Sequence, residues 1–130
     1  MNSATVWKRI TIDAAHFLPG YLGPCARLHG HTYVVELGIE GFIDKTTGMV
    51  VDMTHLHQFL KNFVGNKYDH SCLNDSLPNP TAEHMAVAIL TAARGVFDTG
   101  HVSRIYVRVF ETPTSWVEVC THVRNLLCEA

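Results

Sequence analysis

Apolar and polar residues alternate along several stretches of this chain and recur at helical spacing along two others. From 6 to 16, Val6, Ile10, Ile12 and Ala14 share one parity, and Arg9, Thr11 and Asp13 take the other. That period of two predicts a half-buried strand. From 29 to 40, Tyr33, Val35, Leu37 and Ile39 oppose Thr32, Glu36 and Glu40. A turn over 44–48 follows, and 49–51 is expected to extend the strand pairing. Asp52 then reads as a helix N-cap. Met53, Leu56, Phe59, Leu60, Phe63 and Val64 follow at helical spacing, with Gly65 as the expected stop. Residues 68–80 are irregular. Thr81 caps a second predicted helix, with Glu83 in its first turn, an apolar face of Met85, Ala88, Ile89 and Ala92, and Gly95 at its end. Ile105, Val107 and Val109 alternate with Arg104, Tyr106 and Arg108; a turn over 112–115 leads to a last strand over 116–121. A short helix is expected over 122–130. The order ββααββ predicts one α+β domain over 1–130, with an antiparallel four-stranded sheet.

Composition narrows the function classes. The chain has 130 residues, 47% hydrophobic and 17% charged, and a net charge of −2. A chain of this length can bury its own core. The charge gives no electrostatic case for nucleic acid or an anionic membrane. No apolar run approaches the ~18 residues of a membrane span. The N-terminus lacks a basic stretch followed by an apolar segment, so a cytoplasmic location is expected. Cys25, Cys72, Cys120 and Cys128 form no C-x-x-C pair, which argues against a thiolate zinc ribbon and for free thiols.

Three of the nine histidines form a pattern. His29 and His31 share the parity of Tyr33, Val35 and Leu37, so both point to the apolar side. His16 ends the first strand on the parity of Ile12 and Ala14. If these strands form an antiparallel hairpin, the three imidazoles converge. Burying them without partners is costly, and a metal satisfies them together. Three histidines with an open fourth position is a catalytic zinc arrangement. His55 and His57 read as surface residues; His84, His101 and His122 carry no pattern.

The segment 17–28 has no evident structure and ends in Cys25-Ala26-Arg27-Leu28 before His29. Long loops in compact domains are often functional. A nearby cation would make Cys25 a thiolate base or nucleophile; the alternative is a fourth zinc ligand. In Asp69-His70 a carboxylate can fix an imidazole's tautomer. Glu111 has inward parity and needs a partner: either a cation, or a ligand edge offering two adjacent N–H donors, as pterins and guanines do.

These residues resemble the 6-pyruvoyltetrahydropterin synthase family, in its bacterial 6-carboxy-5,6,7,8-tetrahydropterin synthase branch. The carriers are Ala14-Ala15-His16, Cys25-Ala26-Arg27-Leu28-His29-Gly30-His31 and Gly48-Met49-Val50-Val51-Asp52. They continue with Asp69-His70-Ser71-Cys72-Leu73-Asn74, Asn79-Pro80-Thr81-Ala82-Glu83 and Glu111-Thr112-Pro113-Thr114-Ser115. Three residues separate Cys25 from His29, which resembles the branch serving 7-deazaguanine (queuosine precursor) synthesis. Tyr68 stands where the family usually has Leu.

The resemblance implies a tunnelling fold, with two helices on one face of the sheet, three subunits closing a barrel and two barrels stacking into a homohexamer. It implies zinc on His16, His29 and His31, Cys25 as base, and Asp69 and His70 as a proton relay, with sites lying between subunits. Glu111 would anchor the pterin, helped by Thr112 and Thr81. The substrate implied is 7,8-dihydroneopterin triphosphate, for whose phosphates Arg27 is the first candidate cation, ahead of Lys67 and Lys8. Apart from the resemblance, the same three histidines would also suit a zinc hydrolase or hydratase that makes no use of Cys25.

Overall fold

The computed structural model describes residues 2–122, so the expected helix beyond His122, and Cys128, lie outside the described residues. Strand β1 (Ser3–His16) and strand β2 (His29–Phe42) pair antiparallel over their whole length. The register places Ile12 opposite Tyr33, Ala14 opposite His31, and His16 opposite His29. The expected parity holds: Ile12, Ala14 and His16 are buried on the face that carries Tyr33, Val35, Leu37 and Ile39.

Helix α1 (Met53–Phe59) starts at Asp52, whose carboxylate accepts from the Thr54 N–H at 2.9 Å. The sequence places its stop at Gly65, but the helical rod runs on through a π-helical stretch, Leu60–Gly65, and the short α2 (Asn66–Tyr68). Gly65 keeps right-handed helical angles. A Cβ there would lie 3.5 Å from Ile10 Cδ1, an ordinary packing contact, so the glycine stands where the rod meets β1. Helix α3 (Ala82–Phe97) likewise runs past Gly95, because burying Phe97 against Phe59 rewards two further residues. Both rods cover the apolar face of the sheet. The segment 49–51 forms no strand; its Val50 is buried and its carbonyl accepts from His101 Nε2 at 2.9 Å.

Strands β4 (Val102–Thr112) and β5 (Ser115–Cys120) complete the antiparallel part. One further strand corrects the expected four-stranded ββααββ order. β3 (Ser71–Cys72) lies between the helical rods in sequence and pairs parallel to β1 at Ala14 and Ala15. Among the described residues the sheet therefore has five strands, ordered β3-β1-β2-β4-β5. Two residues give no readable alternation, and side-chain bonds from Asp69 and Asn74 hold this strand in place.

The second face of the sheet is more than a solvated polar face. Glu36 is buried there, between Arg9 and Arg108. The Arg108 guanidinium sits 4.1 Å from the centre of a Trp7 ring. Trp7 itself covers Gly38, where a Cβ would come within 2.8 Å of the indole. Among the described residues no helix is long and apolar enough to cross a membrane.

Candidate metal centre

The end of β1 and the start of β2 bring His16, His29 and His31 together, each offering one donor atom within 4.8 Å of the others. Their ring centres lie 4.6, 4.9 and 5.2 Å apart. His16 is fully buried, and the other two are half-buried.

The tautomers follow from the backbone. His16 Nδ1 lies 2.7 Å from the Pro80 carbonyl, and His29 Nδ1 lies 2.7 Å from the Arg27 carbonyl. A carbonyl only accepts, so both Nδ1 atoms must carry the proton. In neutral rings this leaves lone pairs on the two Nε2 atoms, which face each other at 3.0 Å. Two acceptors at that distance need a proton or a cation between them. Tetrahedral zinc with Zn–N bonds of about 2.0–2.1 Å separates its nitrogens by about 3.3 Å. The His16–His29 pair therefore fits a zinc ion with little adjustment, His31 offers a third donor within 4.8 Å, and the two carbonyls are the outer hydrogen-bond partners such ligands use. The His31 pKa is lowered, chiefly by burial; Glu111 opposes this and the neighbouring histidines reinforce it. A neutral imidazole is the form a metal takes.

Glu111, near the end of β4, places Oε1 3.9 Å from His16 Nε2. Tyr33 lies beneath the cluster, fully buried, with its hydroxyl 3.3 Å from His16 Nδ1. Burial first, and Glu111 second, push the Tyr33 hydroxyl well above its usual pKa, so it stays protonated.

Cys25 lies on a short 3-10 turn, Pro24–Ala26, in the β1–β2 connection. It is a free, half-buried thiol and is absent from the three-histidine group, which does not support the fourth-ligand alternative. The turn leads into Arg27, whose carbonyl holds His29. The thiol's segment is thus tied to a cluster histidine.

Asp69 and His70 are not aimed at this cluster. Asp69 accepts the Asp13 N–H at 2.9 Å, and His70 Nδ1 lies 3.0 Å from the same carboxylate oxygen. Asp13 belongs to the face of β1 opposite the cluster histidines, where Thr32 donates to it at 2.6 Å. The Asp69 carboxyl is held below the usual range, first by the Asp13 N–H, with His70 adding to it. His70 has φ 58°, unusual outside glycine, and its N–H is fixed to the Asp13 carbonyl at 2.6 Å. With Nδ1 on Asp69, its Nε2 is left on a side chain that is 80% exposed.

The expected anchoring threonines are engaged locally. The Thr81 hydroxyl caps α3 by accepting the His84 N–H at 3.1 Å, and Thr112 Oγ1 accepts the Thr114 N–H at 3.3 Å. Arg27, Lys8 and Lys67 are exposed, and the Lys67 ammonium lies 5.1 Å from the Phe63 ring centre. The sequence reading missed the Pro80 carbonyl, Tyr33 and Asp13. A backbone carbonyl carries no residue signal, although Pro80 stands in one of the quoted motifs.

A family model described as 6-pyruvoyl tetrahydropterin synthase matches residues 5–121. The chain is 37% identical over 116 residues to a 6-carboxy-5,6,7,8-tetrahydropterin synthase of Synechocystis, covering 85% of this chain and 88% of that one. It is 36% identical over 120 residues to the Bacillus subtilis protein of the same name, covering 84% and 80%. Among solved structures it resembles 6-pyruvoyl tetrahydropterin synthase of Caenorhabditis elegans, with TM-score 0.77 and 23% identity over 92% of this chain and 96% of that one. That likeness supports the fold.

Proposed function

The chain belongs to the 6-pyruvoyl tetrahydropterin synthase family and is a pterin-processing lyase; we propose that it converts 7,8-dihydroneopterin triphosphate and one water to 6-carboxy-5,6,7,8-tetrahydropterin, releasing acetaldehyde and triphosphate. The observation that carries this reading is the pair of Nε2 lone pairs facing each other at 3.0 Å, with the Glu111 carboxylate 3.9 Å from that of His16. The 36–37% identity to proteins named for the carboxy product favours that product over the pyruvoyl one. The reaction would serve 7-deazaguanine precursor synthesis in the cytoplasm, where reducing conditions keep Cys25 a thiol.

His16, His29 and His31 would hold zinc. Bound there, zinc would supply Lewis acidity to hydroxyl oxygens of the substrate side chain, acidifying a neighbouring C–H. Glu111 accepts two N–H donors from the pterin edge and so fixes the ring. Cys25 then removes the acidified proton as thiolate, and triphosphate departs. Asp69 holds the Nδ1–H of His70, leaving Nε2 to carry protons while the side chain rearranges and breaks. Arg27, beside Cys25, is the first candidate to meet the triphosphate, with Thr81 and Thr112 near the ring.

The outward-facing His70 supports a site shared between copies of the chain, as a homohexamer would provide. So do the exposed apolar residues of the β1–β2 connection, Leu22 at 97% and Leu28 at 65%. The test is Cys25→Ala. Zinc content is expected to stay at the wild-type level while turnover falls by about 10²–10⁴-fold. Loss of zinc together with activity would make Cys25 a ligand and remove the base assignment.

A further inference from the structure

We infer that Asn74 is a positioning residue for Cys25 and His16, an inference that rests on the reading of Cys25 as the base. Asn74 follows β3, in the 3-10 turn Leu73–Asp75. Its carboxamide is used twice on one residue. The Phe17 N–H donates to Oδ1 at 3.0 Å, and Nδ2 donates to the Phe17 carbonyl at 2.9 Å. The reciprocal pair fixes which end of the amide is oxygen, because a flipped amide would set donor against donor and acceptor against acceptor.

Phe17 is the residue at which β1 runs out of partners. The pairing with β2 ends at His16–His29, and the pairing with β3 ends at Ala15–Cys72. Asn74 supplies the next rung with a side chain. The following residue, Leu18, donates its N–H to the Cys25 carbonyl at 2.8 Å. Asn74 thus holds Phe17, and Leu18 holds Cys25. At the other end of the loop, Arg27 is tied to His29. One carboxamide therefore fixes both the strand end that carries His16 and the loop root that carries the thiol.

The chemistry needs an amide. A carboxylate could accept from the Phe17 N–H but would oppose the Phe17 carbonyl with a second oxygen. Leucine has a similar shape and offers neither bond.

The experiment compares zinc-loaded wild type with Asn74→Leu and Asn74→Asp. Iodoacetamide labelling is followed by mass at each cysteine, and kcat and KM are measured alongside. Loss of both bonds in Asn74→Leu is expected to open the loop root and speed Cys25 alkylation about ten- to a hundredfold. The exposed Cys120, on β5, should keep its wild-type rate. Displacement of the thiol is expected to lower kcat by up to about 10²-fold, with a smaller change in KM. Asn74→Asp keeps one bond and should change Cys25 labelling less than Asn74→Leu; it also carries the test if Asn74→Leu does not fold.

An unchanged Cys25 rate in either folded variant would overturn the inference. So would an equal rise at Cys25 and Cys120, which reports general loosening. Labelling does not depend on turnover. If Cys25→Ala stays active, the base assignment fails, while the labelling still reports whether Asn74 positions the thiol.

Discussion

Removing the metal should cost this protein much of its thermal stability, and the size of the effect follows from the site. Pro80 and Arg27 lock His16 and His29 so that two Nε2 acceptors meet at 3.0 Å with His31 alongside. The folded state thus presents a preformed cation site that the unfolded chain lacks. A ligand present at a thousandfold over its Kd stabilises the folded state by about 4.1 kcal/mol. An unfolding entropy of about 2.1 cal/mol/K per residue, over the 130 residues, gives about 270 cal/mol/K. The expected fall in Tm on stripping is then about 15 °C. The assay is calorimetry on zinc-loaded protein, chelator-treated protein, and the latter after zinc is restored. The control is His31→Ala, chosen because His31 is half-buried whereas removing His16 would also orphan the Pro80 carbonyl. Zinc should no longer raise the Tm of His31→Ala by more than a small fraction of the wild-type shift. A wild-type Tm indifferent to zinc, or an equal shift in both proteins, would refute the three-histidine site.

Two further outcomes follow from side chains near the site. Thr81→Ala removes the cap of α3 and should destabilise the protein by about 1 kcal/mol in denaturant titration, with zinc affinity little changed; a stability within error of wild type would mean the cap contributes nothing. The carboxyls of Asp44, Asp52 and Asp69 all sit below the usual range because each accepts backbone N–H groups, first from Thr47, Thr54 and Asp13 respectively. A depressed carboxyl pKa means that the stability it contributes is fully present above the unfolded value of about 3.9 and is lost as pH falls through the folded value. Metal-free protein should therefore lose Tm as pH drops below about 4, and Asp44→Asn should lose less over that window. An identical acid limb in the variant would count against this origin.

Strand parity made the site legible because it is local. The spacing of His29 and His31, and the shared parity of His16 with Ile12 and Ala14, need only an antiparallel hairpin to converge, and β1 and β2 form one in that register. The stops assigned to Gly65 and Gly95 failed because the gain from tertiary burial outweighed the ~1 kcal/mol a glycine costs inside a helix. Gly65 lies where the rod approaches Ile10, and Gly95 precedes the buried Phe97. β3 was illegible because two residues carry no period, and its anchors, Asp69 and Asn74, act on backbone atoms far away in sequence. Glu36 has the polar parity of its strand, with Thr32 and Glu40. Its burial depends on Arg9 and Arg108 from the two neighbouring strands, a pairing that no single stretch of sequence displays. The tautomer lock on His16 was invisible for a similar reason, since its partner is a main-chain oxygen 64 residues away.

Mass analysis of the products formed from 7,8-dihydroneopterin triphosphate by the purified, zinc-loaded protein tests the proposed reaction most directly. The expected products are 6-carboxy-5,6,7,8-tetrahydropterin, acetaldehyde and triphosphate in equal amounts. A 6-pyruvoyl product without acetaldehyde, or substrate left intact, would contradict it.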